Sequence, residues 1–335
     1  MMLNPAILAL LLVSLLVSLM LLVASGFAVR ILRHWDIQSG SELQLQLERR
    51  TYLISTLLIW AFLFEFLSLL LFIYNAEALS GQFVGAMCAT GVLNLNPWGW
   101  PTLFLKITLF FIAAVWLSLN YLDNRGYDYP LIRVKYALLL LALPLAMTEA
   151  VLLWLHFTEM EPNLITSCCG TLFSADAEGI SGEVSGIAPA KSIYTLGLSA
   201  ILVIAAGVWV AICGKGGWLF SLLGIGAFCI AILAIVSSIS LYIYEHPHHH
   251  CPFCILKQGH DYVGYFLYIP LFLATALSLS AGIVSPWRNI ASLSQTVARM
   301  VPVVSWSAVF FFVQFYLTAA WSVWRSQLTM MEVWW

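Results

Sequence analysis

Of the 335 residues, only 9% are charged and 62% are hydrophobic, and the net charge is −2. A soluble domain carries roughly a quarter charged residues, so this composition cannot supply a water-facing surface; the mean hydropathy of +0.94 points to lipid as the solvent. The few Lys and Arg residues are scattered, which argues against a nucleic-acid partner.

The first uncharged apolar run covers residues 5–29, with Arg30 and Arg33 after it rather than before it. A cleaved signal peptide has its basic residues in front of the apolar run, so a retained first helix with its N-terminus outside is expected. Further apolar runs cover about 51–74, 102–122, 136–157, 193–213, 218–244, 262–285 and 300–324. Each is long enough for a hydrocarbon core of about 30 Å at about 1.5 Å per residue. Gly214-Lys215-Gly216-Gly217 reads as a tight turn between the fifth and sixth runs, and the polar stretch 158–192 has too few residues for a core of its own. The expectation is an all-α, polytopic membrane bundle of about eight helices forming one domain over 1–335.

Basic residues orient such a bundle. Of the 14 Lys and Arg residues, all but Lys106, Lys191, Lys257 and Arg325 fall at one set of loop ends. That set is assigned to the inside, which puts both termini outside. A bacterial cytoplasmic membrane with loops 75–101, 158–192 and 245–261 facing the periplasm follows. Those loops hold five of the seven cysteines: Cys88, Cys168, Cys169, Cys251 and Cys254.

The densest chemistry lies in His246-Pro247-His248-His249-His250-Cys251-Pro252-Phe253-Cys254, read as entering the seventh helix. A Cys-x-x-Cys at a helix start gains thiolate character from the positive end of the dipole, and a protonated His250 would add to it. On that reading Cys251, which begins the motif, attacks the partner, and Cys254 resolves the mixed disulfide. A structural disulfide or a histidine-rich polar loop is the plainer alternative.

Cys251-Pro252-Phe253-Cys254-Ile255-Leu256 resembles the Cys-Pro-x-Cys-Ile-Leu segment of DsbB-type membrane disulfide oxidoreductases. The match covers fewer than ten residues. It implies thiol exchange with a periplasmic thiol protein and electron transfer to a membrane quinone. The family's quinone-contacting Arg, four residues after the second Cys, is Gln258 here, with Lys257 beside it, and the family's core has four helices.

Cys168-Cys169 have Cα atoms about 3.8 Å apart, too close for an unstrained disulfide with each other. Pairing of one of them with Cys88, or joint binding of a soft metal, is expected instead. Cys251 and Cys254 with His246, His248, His249 and His250, and Met87 beside Cys88, make a candidate Cu or Zn site. A c-type haem is not expected, because Ile255 follows Cys254 where a Cys-x-x-Cys-His motif needs histidine. Cys213 and Cys229 read as small packing residues.

Glu65 and Glu149 fall inside apolar helices, about 21 and 20 Å from the inner ends by rise per residue. Intramembrane carboxylates suggest a proton or ion path, with Lys106 as an ion-pair partner and His156 one layer nearer the outer surface; interhelical hydrogen bonding is the alternative. Three functions remain open on these residues: a thiol redox protein passing electrons between a periplasmic partner and a membrane acceptor, for which the resemblance implies quinone; a protein that binds or transfers Cu or Zn; and an accessory subunit docking other subunits of a membrane complex.

Overall fold

The structure, a computed structural model, describes residues 4–161, 183–184 and 186–330. Ten α-helices organise the described residues, which contain no strand: α1 Pro5–His34, α2 Glu42–Leu79, α3 Ala89–Leu93, α4 Gly99–Asp123, α5 Ile132–Thr158, α6 Pro189–Cys213, α7 Gly217–Ala234, α8 Ser240–Tyr244, α9 Val263–Val284 and α10 Ser294–Arg325. They supply eight spans long and apolar enough to cross a membrane, α7 and α8 forming one span through a π-helical turn at Ile235–Ile239.

Local chemistry explains where the helices extend past the apolar runs. Asn4 caps α1 by accepting the Ala6 N–H at 3.0 Å, ahead of Pro5, whose missing N–H costs nothing there. α2 begins nine residues before the expected run at 51. Its polar first turns are supported four residues apart by Gln44 donating to Glu48 at 2.9 Å and Gln46 donating to Glu42 at 3.2 Å. The expected glycine turn is present: Gly214 and Gly216 have φ of 65° and 84°, left-handed values that end α6 and start α7.

The chain divides into two compact units. The first is built from α1, α2, α4 and α5. Its core includes edge-on Phe27 and Tyr136, with centroids 5.9 Å apart, and Phe62 tilted on Trp116 at 5.1 Å. Among this apolar packing sits a buried ion pair between Lys135 Nζ and Asp123 Oδ2 at 2.7 Å; Asp123 Oδ1 also accepts the Leu131 N–H at 2.8 Å and so ties down the α4–α5 turn.

The second unit contains residues 79–92, α6 to α9 and most of α10. Here α7 packs closely on α9, because Gly224 and Gly282 leave room for Ser278 and Ser221. Ser221 then donates to the Ser278 carbonyl at 2.6 Å. Small residues and serine hydrogen bonds are the usual means of close helix approach in lipid.

One expectation is corrected. The Cys-x-x-Cys segment does not open the seventh membrane helix. Cys254–Leu256 and Gln258–His260 are isolated 3₁₀ turns, and Asp261 and Tyr262 adopt left-handed φ of 53° and 55° before α9 starts at Val263. Two consecutive non-glycine residues in that conformation interrupt the helix, so the dipole of α9 is not aimed at Cys251 or Cys254.

Candidate functional site

Three cysteines of the second unit converge. Cys88 Sγ lies 3.3 Å from Cys251 Sγ, and the Sγ atoms of Cys88, Cys251 and Cys254 all fall within 4.8 Å of one another. Cys88 and Cys251 are fully buried, and Cys254 is 7% exposed. Thr90 Oγ1 completes the polar lining, 3.4 Å from Cys251 Sγ.

The loop that carries Cys251 is held from both sides. Tyr244 donates its hydroxyl to the Cys251 carbonyl at 2.6 Å, and Tyr268, on α9, donates to the Pro252 carbonyl at 2.8 Å. His250 Nδ1 lies 2.9 Å from the Val236 carbonyl in the π-helical turn. A carbonyl only accepts, so this contact fixes the proton on Nδ1. A π-turn displaces carbonyls from the regular helical pattern, and here one of them meets the imidazole. Cys88 is brought in by the segment before α3, where the Lys257 ammonium donates to the Met87 carbonyl.

Electrostatics alter the expected chemistry. The Cys254 thiol pKa is pushed far above the ordinary range, first because its proton is shared with the sulfurs of Cys251 and Cys88, then because it is buried. Burial also lowers the pKa of His250, outweighing the Val236 hydrogen bond that raises it. A neutral imidazole does not stabilise a thiolate in the way expected of a charged His250. The expected attacking role of Cys251 is likewise disfavoured, since Cys254 is the less enclosed of the two.

The remaining candidates sort by position. Among the described residues, the group of three or more metal-ligating side chains is the cysteine trio, and His246, His248, His249 and His250 do not join it. His249 instead lies against Tyr244 at 4.2 Å between ring centroids, His260 meets the same ring at 4.6 Å, and His246 lies 6.1 Å from His248. Gln258 is exposed, and Lys257 is engaged by the Met87 carbonyl. Cys168 and Cys169, and with them the expected pairing with Cys88, lie outside the described residues. Cys213 and Cys229 are exposed on their helices rather than packed, contrary to expectation.

In the first unit, Glu65 and Glu149 do meet, around Lys106. The ammonium lies 2.8 Å from Glu149 Oε1 and 3.9 Å from Glu65 Oε1, and donates to Ser68 Oγ. The Glu149 contact is close enough for an ion pair, although its angle departs from that of an aligned hydrogen bond. His156 is fully buried; its Nδ1 is 2.7 Å from Asn96 Oδ1, while Asn96 donates back to the His156 carbonyl at 2.9 Å. Sequence reasoning missed Thr90, Tyr244, Asn96 and Ser14 as parts of these clusters. None sits in a local motif; Thr90, Asn96 and Ser14 are placed by contacts with partners 60 or more positions away, and Tyr244 by a loop carbonyl seven residues on.

No family model, curated protein or solved structure matches the chain. The eight apolar spans make it an integral membrane protein by length and composition.

Proposed function

We propose that the chain is a membrane thiol–disulfide oxidoreductase whose working group is the Cys88–Cys251–Cys254 trio. The observation that carries this reading is the mutual approach of three cysteine sulfurs within 4.8 Å. Two thiols store one disulfide; a third within reach lets that disulfide move. The Cys88 thiolate attacks Cys251 Sγ of a Cys251–Cys254 disulfide, a Cys88–Cys251 bond forms, and Cys254 leaves as thiolate, with no net change in electrons. Cys254, the least enclosed thiol, is the point of exchange with a periplasmic thiol protein. Its raised pKa belongs to the fully reduced trio. Once Cys88 and Cys251 are joined, the two sulfurs that share its proton are no longer thiols, and only burial still opposes ionisation. Closing each disulfide releases two electrons and two protons, which a membrane quinone would take up as quinol. In a bacterial cytoplasmic membrane the trio would face the periplasm, as the distribution of basic residues suggests.

The test is anaerobic titration of the reduced, purified chain with a soluble quinone analogue, reading quinol formation by absorbance. One quinol per chain, lost when any two of the three cysteines are replaced by serine, is the expected result. No quinol above the level of a chain lacking all three cysteines would remove the proposal.

A second reading is favoured by the same triangle. Three thiolates about 2.3 Å from one soft ion stand roughly 3.8–4 Å apart, a spacing compatible with the trio. With no histidine in the group, three-coordinate Cu(I) fits better than four-coordinate Zn. Retention of one Cu per chain through dialysis, lost in each Cys→Ser variant, would favour this second reading.

A further inference from the structure

The Glu65–Lys106–Glu149 cluster is not used by the thiol chemistry, and its charges do not balance. Lys106 is fully buried, and Glu149 and Glu65 are 1% and 2% exposed. Two carboxylates and one ammonium would leave a net negative charge inside an apolar four-helix unit. An uncompensated charge at membrane depth is among the costliest arrangements a bundle can hold.

We propose that Glu65 and Glu149 form a proton-binding site, in which the two carboxyls hold one exchangeable proton between them beside the Lys106 ammonium. The geometry distinguishes the two acids. Glu149 has the close ammonium contact at 2.8 Å, and its Oε2 accepts the Ser14 hydroxyl of α1 at 3.0 Å. Both contacts favour the carboxylate. Glu65 stands 3.9 Å from the ammonium, and its buried Oε1 accepts no hydrogen bond. Glu65 is therefore the acid that carries the proton.

The groups facing the cluster come from all four helices: Ser14 from α1, Glu65 and Ser68 from α2, Lys106 from α4 and Glu149 from α5. His156, also on α5, lies beyond Phe72, whose ring is 5.9 Å from Lys106 Nζ and 6.0 Å from the imidazole. The ammonium already stands where a metal cation between the carboxylates would sit, which leaves a proton to complete the charge balance.

Infrared spectroscopy of the purified chain in lipid nanodiscs at neutral pH tests this without any assay of turnover. The wild type should show one protonated-carboxyl band that shifts in D₂O. Glu65→Gln should abolish it, and so should Glu149→Gln, because the one remaining acid then pairs with Lys106. Lys106→Met, which removes the compensating charge, should roughly double the band. The isosteric Gln variants keep the test valid if Lys106→Met fails to fold. Absence of a band in the wild type, its persistence in both Gln variants, or its loss on adding Na⁺ or K⁺ would overturn the proposal. The thiol reading stands or falls separately, since no cysteine enters this measurement.

Discussion

Cys88 and Cys251, 163 positions apart in the chain, hold their sulfurs 3.3 Å from each other in a buried pocket. A disulfide needs about 2.05 Å between sulfurs, so a shift of roughly 1.3 Å closes this one. Mild oxidation of the native protein should therefore produce a Cys88–Cys251 linked peptide on non-reducing digestion. Cys254→Ser should retain that link, and Cys88→Ser should redirect it to Cys251–Cys254. A digest in which Cys88 remains alkylatable after full oxidation would mean that the close approach has no redox consequence.

Burial makes a second expectation. Cys88 and Cys251 are fully enclosed and Cys254 nearly so, and alkylation requires both access and thiolate. A membrane-impermeant maleimide should label the trio slowly in the folded, reduced protein, with Cys254 first, and completely after denaturation. Quantitative mass spectrometry over a time course gives the order. Fast labelling of Cys251 ahead of Cys254 would restore it as the entry thiol.

The helices were legible because composition leaves no alternative: eight apolar runs in a chain with so few charges must span lipid. Lys106 and the two acids were legible for the same reason, as isolated charges in apolar helices need one another. The start of α9 was not. Cys251-Pro252-Phe253-Cys254 has the composition of a helix start, but Asp261 and Tyr262 take left-handed angles that no local residue preference demands. The π-helical turn was equally hidden, since Ser237 and Ser238 break the apolar run there without signalling a π-turn. Its carbonyl at Val236 meets His250 only through tertiary packing. The histidine run was thus read as a ligand set, whereas one of its members anchors the loop.

His250 gives a pH prediction. Its folded pKa lies below the ordinary value of about 6.5. The unfolded chain therefore takes up a proton that the folded one resists, and the stability linked to this group is present above about pH 6.5 and lost as pH falls through the lowered folded value. Thermal unfolding in detergent should weaken below pH 6.5 in the wild type. His250→Asn, which keeps an N–H donor for the Val236 carbonyl but does not titrate, should flatten that dependence. His250→Ala should cost about 1–3 kcal/mol at neutral pH, nearer the lower end because Ser240 Oγ also reaches the Val236 carbonyl, at 3.2 Å. An unchanged pH profile in His250→Asn would detach the titration from this residue.

The Lys135–Asp123 pair permits a stability test independent of any function. Both side chains are fully buried, 2.7 Å apart, and Lys135 also donates to Asn120 Oδ1 at 3.2 Å. Removing one partner of such a pair leaves a charge with nothing to balance it, at a typical cost of about 3–5 kcal/mol. Lys135→Met should therefore destabilise strongly, since Asp123 would lose its cationic partner in an apolar surround. Asp123→Asn should destabilise as well, because it weakens both the ion pair and the Leu131 N–H acceptor that shapes the α4–α5 turn. In the double variant the charge imbalance disappears, so its loss should be smaller than the sum of the single losses by more than 1 kcal/mol, the range expected for directly coupled residues. Thermal and denaturant unfolding of the four proteins in one detergent measures the cycle. Additive losses would mean that the two charges are separately solvated and that the buried pair does not hold this turn.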